Sequence, residues 1–166
     1  MNNTSIKYIG LTFVYVATQI LVLNKILFFT YINPFLYILL IITLPLSTPK
    51  WMLLIYAFIL GLLIDVFCGS LGFHSTATVL ISFIKPLISK ITIPHNILSD
   101  TNEITLKKIG LKSFIIFSSL LIIIHNCCLF LLTHLDINLS IFLKIIASSF
   151  ITLILILITQ LFEQEK

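Results

Sequence analysis

Runs of about 20 nearly unbroken apolar residues recur along this chain of 166 residues, and no other feature limits its fold so strongly. A run of that length can cross the hydrocarbon core of a bilayer as a helix. Hydrophobic residues make up 59% of the chain and charged residues 10%, which is too little polar surface to cover a water-soluble domain. The sequence therefore predicts an all-α, polytopic membrane protein with one integral membrane domain over residues 1–166.

Turn and helix-start signals divide the apolar runs into about six transmembrane helices. The dipeptide Asn33–Pro34 favours a helix start, because asparagine can cap free N–H groups and proline is tolerated at the first helical position. Lys85–Pro86 should kink or end the fourth helix, since proline removes one helical hydrogen bond. The predicted spans are 6–23, 34–46, 50–67, 73–91, 113–132 and 139–162.

Lysines predict the orientation of these spans, because the cytoplasmic ends of membrane helices carry an excess of basic residues. With a cytoplasmic N-terminus, eight of the ten lysines fall in inner segments and two in outer segments. The inner ones are Lys7, Lys50, Lys85, Lys90, Lys107, Lys108, Lys112 and Lys166, and the outer ones are Lys25 and Lys144. We therefore expect both termini and the 91–112 loop in the cytoplasm, with Lys85 and Lys90 snorkelling from the helix end. The formal net charge of +4 is too small and too scattered to indicate a nucleic-acid partner.

The most polar stretch within the spans is GLLIDVFCGSLGFHSTATVLISFIKP, which begins at Gly61. Asp65 is the only carboxylate inside a predicted span, and it lies about one turn from the outer helix end, within reach of water. His74 is the nearest candidate partner across the turn. Gly61 shares a helix face with Asp65 and suits close helix contact, while Gly69 and Gly72 suit positive-φ turn positions. A structural or partner-contact role is favoured, and ligand or ion binding is the alternative.

A second polar cluster, His125 with Asn126, lies in the middle of the fifth span. We expect one of these side chains to make an interhelical hydrogen bond. The adjacent Cys127–Cys128 pair lacks metal-site spacing, so a metal is disfavoured. The chain has no glycine-rich phosphate loop, HExxH or GxSxG motif. We therefore expect no enzymatic activity, no cofactor and no metal.

Residues 33–86 resemble one known family, the bacterial rod-shape-determining protein MreD. The resemblance begins with NPFLYILL at Asn33 and Pro34. It continues with GLLIDVFCGSLGFH, which corresponds to the family's G-L-x-x-D-x-x-x-x-x-x-G element. The matching positions in this sequence are Gly61, Leu62, Asp65 and Gly72. The resemblance implies a non-enzymatic scaffold of the cell-elongation machinery in the bacterial inner membrane.

The resemblance also implies partners. The first is MreC, a single-span protein with a periplasmic coiled coil. MreC connects such a scaffold to the MreB filament, to RodA and to a class B penicillin-binding protein, and so supports peptidoglycan synthesis and rod shape. We expect the MreC contact on the third and fourth helices, around Gly61, Asp65, Gly72 and His74. Family members are also similar in helix arrangement to the vitamin-binding subunits of energy-coupling-factor transporters. A substrate-binding subunit for a small ligand is therefore the alternative function.

Overall fold

The computed structural model describes residues 3–25, 32–100, 103–134 and 138–164. Helices are the regular secondary structure throughout these ranges, so the all-α prediction is confirmed for the described residues. Lys166 and the side chain of Lys7, both used to predict the orientation of the spans, lie outside the described residues.

The described ranges contain eight α-helices, numbered in chain order. They are α1 (Asn3–Thr18), α2 (Ile38–Thr43), α3 (Lys50–Cys68), α4 (Phe73–Thr92), α5 (His95–Asp100), α6 (Leu106–Ile109), α7 (Leu111–Thr133) and α8 (Leu139–Gln164). A π-helical turn, Gln19–Leu23, continues α1. The short helices α5 and α6 lie within the 91–112 loop.

Three of these helices, α3, α7 and α8, are long and apolar enough to cross a membrane. Helix α4 has 20 residues, but lysines, a histidine and a row of hydroxyl side chains make it less apolar. The three apolar helices support a membrane-embedded protein. The number of six spans and the cytoplasmic position of the termini stay predictions.

Helix α4 lies in the middle of the bundle, between α3 and α7, and α8 packs against α7. Helix α2 contacts α1, α4 and α7, and no side chain from Tyr37 to Ile42 is more than 1% exposed. A helix that is apolar on all sides belongs in the interior, where every face finds a neighbour. The sequence ILLIIT of α2 fits that position.

The second predicted span, 34–46, is wrong in its start and in its length. The helix begins four residues after Pro34 and has six residues. It is therefore about 9 Å long, far short of the roughly 30 Å of a hydrocarbon core. The backbone N–H groups of Asn33 and Phe35 donate instead to the hydroxyls of Ser148 and Thr152 on α8. These tertiary hydrogen bonds replace the helical ones that the local sequence favours.

Two glycines form the turn of the α3–α4 hairpin, as the turn chemistry predicts. Gly69 ends α3 with φ of +66°, and Gly72 precedes α4 with φ of +86°. Side chains other than glycine rarely adopt such positive angles. We call the end of the bundle with this turn the hairpin end. The opposite end, where α3 begins at Lys50 and α4 carries Lys90, is the lysine end.

Helices α3 and α4 approach each other closely at Gly61. A Cβ atom on this residue would overlap the backbone of Ser75 and the hydroxyl of Thr78. The Thr78 hydroxyl donates to the Ala57 carbonyl at 2.8 Å, a hydrogen bond between helices at the same level. Small residues allow this approach, and the close contact predicted for Gly61 is made within the chain.

The close approach predicts that Gly61→Ala destabilises the fold. The added methyl group has to push the backbone of Ser75 away, and overpacking of this kind costs about 2 kcal/mol. We expect a fall of about 5 °C in the thermal midpoint of the detergent-solubilised protein. Gly10→Ala is the matched control, because a Cβ there meets nothing within 4 Å. Equal falls in both variants would contradict the close packing of α3 on α4.

Candidate functional site

Asp65 caps the N-terminus of α4 from the neighbouring helix. Its Oδ1 accepts hydrogen bonds from the Ser70 hydroxyl at 2.5 Å and the His74 backbone N–H at 3.0 Å. Its Oδ2 accepts from the Ser75 N–H at 2.9 Å. N–H groups in the first turn have no partner within their own helix, and a negative charge there also faces the positive end of the helix dipole. The carboxylate therefore holds the hairpin together.

Two expectations for Asp65 are corrected by this geometry. The residue is 2% exposed, so water at the helix end does not reach it. His74 contacts it through the backbone N–H, while the imidazole points to another partner. The cause is the approach at Gly61, which brings the first turn of α4 onto the carboxylate. Gly61, Asp65 and His74 are buried and form a joint within the chain, while Gly72 in the turn is half-buried.

Tyr37 joins two buried histidines in the centre of the bundle. Its hydroxyl lies 2.8 Å from His74 Nδ1 and 2.9 Å from His125 Nε2. His125 Nδ1 lies 3.2 Å from Asn126 Oδ1, and Asn126 Nδ2 donates to Ser149 Oγ at 2.8 Å. The chain of hydrogen bonds runs from α4 through α7 to α8, and it confirms the interhelical hydrogen bond predicted for the second polar cluster.

The acceptors in this chain set the direction of its hydrogen bonds. With both imidazole rings neutral, the Asn126 carbonyl oxygen, which only accepts, assigns the proton of His125 to Nδ1 and leaves its Nε2 as an acceptor. The single Tyr37 hydroxyl proton therefore goes to His125. The Tyr37 oxygen in turn accepts from Nδ1–H of His74, which leaves Nε2 of a neutral His74 as a hydrogen-bond acceptor.

Gln19 forms hydrogen bonds with backbone groups of the segment just before α2. Its Nε2 donates to the Pro34 carbonyl at 2.9 Å, and its Oε1 accepts from the Leu36 N–H at 2.9 Å. Backbone groups buried away from water need such partners. Asn33 and Pro34, singled out in the sequence as a helix start, are thus held in a non-helical approach to α2.

Lys85 forms hydrogen bonds with backbone groups at the other end of α2. Its Nζ donates to the carbonyls of Ile41 at 2.8 Å and Leu44 at 2.6 Å. The residue is 1% exposed, so the expectation that it snorkels to the membrane surface is wrong. The reason is that α2 ends in the interior, where a cation satisfies carbonyls that no helical N–H reaches. Helix α4 also continues through Pro86 to Thr92 and does not end at this pair.

A cavity of about 540 Å³ lies at the hairpin end beside His74. Both polar and apolar side chains form its wall. They are Ile20, Asn24, Lys25, Asn33, Phe35, Phe67, Cys68, His74, Leu129, Phe130, Thr133 and His134. His74 is part of this wall, so a molecule in the cavity lies beside this histidine.

A second concavity, of about 660 Å³, lies between α1 and α3 and is almost wholly apolar. We call it the α1–α3 groove. It is lined by Ile9, Thr12, Phe13, Val16, Ala17, Ile20, Leu21, Tyr56, Ile59, Leu63 and Phe67. Its two polar side chains are paired, since the hydroxyls of Thr12 and Tyr56 lie 2.6 Å apart and Thr12 donates to the Tyr8 carbonyl. The groove therefore offers apolar surface to an occupant.

Within the described ranges the cysteines form no cluster with other possible metal ligands. Among the described residues no group of three or more histidine, cysteine, aspartate or glutamate side chains is placed to hold a metal ion. Cys68, Cys127 and Cys128 are free thiols.

Comparison with protein-family models, with curated proteins and with solved structures finds no match for this chain.

Sequence reasoning missed several residues that organise the interior. Gln19 and the hydroxyls of Ser148 and Thr152 contact residues 33–36, yet none was singled out, and Tyr37 was noted only as part of the run that resembles the family. Each is a polar residue in an apolar run, which is the available signal. Their partners are distant in sequence, so the signal does not say what each one binds.

The capping of α2 predicts that Lys85→Met destabilises the centre of the bundle. Two buried carbonyls lose their donor at about 1 to 3 kcal/mol each, and relief of the lysine's own desolvation offsets part of this loss. We expect a net loss of about 2 kcal/mol and faster hydrogen exchange of the amides in α2. Lys112→Met, at an exposed lysine, is the control and should change neither quantity. Unchanged exchange in Lys85→Met would show that α2 does not depend on this cation.

Proposed function

We propose that this protein is an MreD-like, non-enzymatic scaffold in the bacterial inner membrane. In this role it binds MreC and supports peptidoglycan synthesis and rod-shape maintenance by the elongation machinery. The proposal rests on the resemblance of residues 33–86 to that family. One structural observation agrees with it: the α1–α3 groove is an apolar concavity on the outside of a bundle whose polar residues are largely engaged inside.

The interior polar groups support a scaffold more than an enzyme. Asp65 is engaged by three donors, and Lys85 donates to two carbonyls at an end of α2. Both charged groups serve backbone or hairpin hydrogen bonds, so neither is free to act on a substrate. Partner binding would then use the apolar membrane surface in place of the charged positions first expected to carry it.

The α1–α3 groove has the form that suits a transmembrane helix of a partner. On α1 and the π-helical turn that continues it, the lining runs from Ile9 to Leu21, which corresponds to about 18 Å or three helical turns. The residues follow helical spacing, so the groove lies along the helix axes. An apolar helix face fits such a groove by side-chain packing. MreC, with its single span, is the partner that the resemblance provides.

Filling the groove should weaken MreC binding. Ala17 lies on its wall, and Ala17→Leu places a larger side chain in the space for the partner helix. We expect the amount of MreC that co-purifies to fall at least fivefold, which corresponds to about 1 kcal/mol of lost packing. The measurement is co-purification from membranes that contain both tagged proteins.

Ala147→Leu is the matched control for this experiment. It makes the same substitution at a half-buried alanine on α8, away from the groove. Co-purification should stay within twofold of the unaltered protein. Equal losses in the two variants, or full binding by Ala17→Leu, would remove the groove as the MreC site. If neither variant nor the unaltered protein retains MreC, the scaffold proposal itself fails.

The cavity at the hairpin end favours a second candidate, a substrate-binding subunit for a small polar ligand. Its volume is in the range of small-molecule sites, and its wall combines apolar side chains with a few polar groups. A ligand with an N–H or O–H group could donate to Nε2 of His74. Lys25 and Asn24 could bind an acidic or carbonyl group of the same molecule.

This candidate predicts a small molecule that co-purifies with the protein and is detected by mass spectrometry. His74→Leu should reduce its occupancy about tenfold through loss of the acceptor and of the buried hydrogen bond. His95→Leu, at an exposed histidine in α5, is the control and should keep the ligand. Absence of any bound molecule in the unaltered protein would argue for the scaffold alone.

A further inference from the structure

A third concavity, of about 490 Å³, lies between the first turn of α3 and the second half of α4 at the lysine end. We call it the lysine-end cleft. Its walls are mainly apolar, with lysines at its rim. The lining residues are Lys50, Leu53, Leu54, Ser82, Phe83, Ile84, Pro86, Leu87 and Lys90. None of the contacts that hold α2 or cap α4 uses this cleft.

The two lysines of the cleft are available to a ligand. Lys50 and Lys90 are exposed, and in the described ranges neither has a hydrogen bond or an ion pair. Lys108, by contrast, is paired with Glu103 at 2.8 Å. The cleft therefore presents two uncompensated positive charges beside apolar walls, which complements a molecule with an anionic head and an apolar tail.

The N-terminus of α3 adds uncapped donors at the same place. Pro49 precedes the helix and makes no side-chain capping bond, and the first helical bond runs from the Leu53 N–H to the Pro49 carbonyl. The peptide N–H groups of residues 50–52 thus have no helical acceptor. Such groups bind phosphate well, because they point outward at the positive end of the helix dipole.

Ser82 is an independent sign of a missing ligand. It lines the cleft, is 1% exposed, and its hydroxyl has no hydrogen-bond partner in the described part of the chain. Pro86 lies four residues further along α4 and has no N–H, so it cannot bond the Ser82 carbonyl as a helix residue would. Ser118 on α7 has the only other such hydroxyl among the described residues and lines none of the three concavities, whereas Ser82 lies at the wall of the cleft, where a ligand can supply the acceptor.

The register of the two helices places these groups at matching depths. Thr78 lies level with Ala57, and α3 and α4 run antiparallel, so Ser82 lies near the level of Leu53 and Pro86 near that of Lys50. Four helical residues correspond to about 6 Å. The Ser82 hydroxyl is therefore about one turn deeper in the bundle than the N-terminus of α3. This order, charge outside and hydrogen bond inside, is that of the phosphate and the ester groups of a phospholipid.

We propose that the lysine-end cleft binds one anionic phospholipid. Its phosphate is held by Lys50, Lys90 and the free N–H groups at the start of α3. An ester carbonyl accepts the hydrogen bond of Ser82, and an acyl chain lies along the apolar wall. This site goes beyond the proposed scaffold function and does not depend on it, since the cleft and the α1–α3 groove have no lining residue in common.

The test is lipid retention by the purified full-length protein, measured by native mass spectrometry after equilibration with phosphatidylglycerol or phosphatidylcholine. We expect one phosphatidylglycerol to be retained at least tenfold more strongly than phosphatidylcholine. The double variant Lys50→Gln/Lys90→Gln should lose that preference. Lys107→Gln/Lys112→Gln is the control, because it removes the same charge from exposed lysines outside the cleft and should keep the preference.

Two further variants separate the parts of the site. Ser82→Ala should weaken the retention of both lipids by a similar factor of about three, since both lipids have the ester groups. Lys50→Gln alone should give an intermediate loss, which keeps the test valid if the double variant does not fold. Excess inorganic phosphate should leave the bound lipid in place, because it lacks the apolar part.

Several results would overturn the proposal. Equal loss of the preference for phosphatidylglycerol in the two double variants would show that the preference comes from general surface charge. Equal retention of the two lipids would show that the protein does not recognise the anionic head group. Displacement of the lipid by inorganic phosphate would assign the site to a free anion. Retention of neither lipid would point to another occupant, such as an acidic peptide.

Discussion

The peptide groups of residues 33–44 lie in the apolar interior, and much of the polar chemistry of this protein is placed to satisfy them. A backbone in lipid or in a dry core has no water to bond, so a helix of six residues there is costly at both ends. Gln19, Ser148 and Thr152 serve the approach to α2. Lys85 and Tyr8 serve its last carbonyls. Helices α1, α4 and α8 thereby meet around one segment, and their relative positions follow from it.

The same requirement explains the residues that look functional in the sequence. Asp65 supplies acceptors to the first turn of α4, as Lys85 supplies donors to the end of α2. Tyr37 and the two histidines extend the arrangement through hydrogen bonds whose direction is set by the Asn126 carbonyl. Charged and polar groups in a membrane protein invite a catalytic or transport reading. Among the described residues most of them have a structural partner, and the buried hydroxyls of Ser82 and Ser118 do not; of these two, Ser82 lies at the wall of a cleft, beside two lysines without partners.

The parts of the fold that follow from local sequence could be predicted, and the parts that follow from tertiary contact could not. The all-helical class and the long apolar helices follow from hydropathy, and the hairpin turn follows from Gly69 and Gly72. The start of α2 could not be predicted, because hydroxyls more than a hundred residues away compete with the local signal at Asn33–Pro34. Lys85 was misplaced for a related reason. A lysine near a helix end normally reaches for water, unless a second helix ends beside it in the core.

Most polar groups in the interior are hydrogen-bonded within the chain, whereas the groove and the cleft lie at the surface, and this difference bears on how such a protein could act. Polar side chains that stabilise the fold are poor sites for a partner, because a partner would first have to break their hydrogen bonds. An apolar groove and an uncapped helix start carry no such cost. Binding in the α1–α3 groove and binding in the lysine-end cleft use different chemistry, side-chain packing in one and charge in the other. Since α3 contributes to both, occupation of the cleft at its first turn and of the groove along its length would stabilise the same helix, so a bound lipid is expected to favour partner binding.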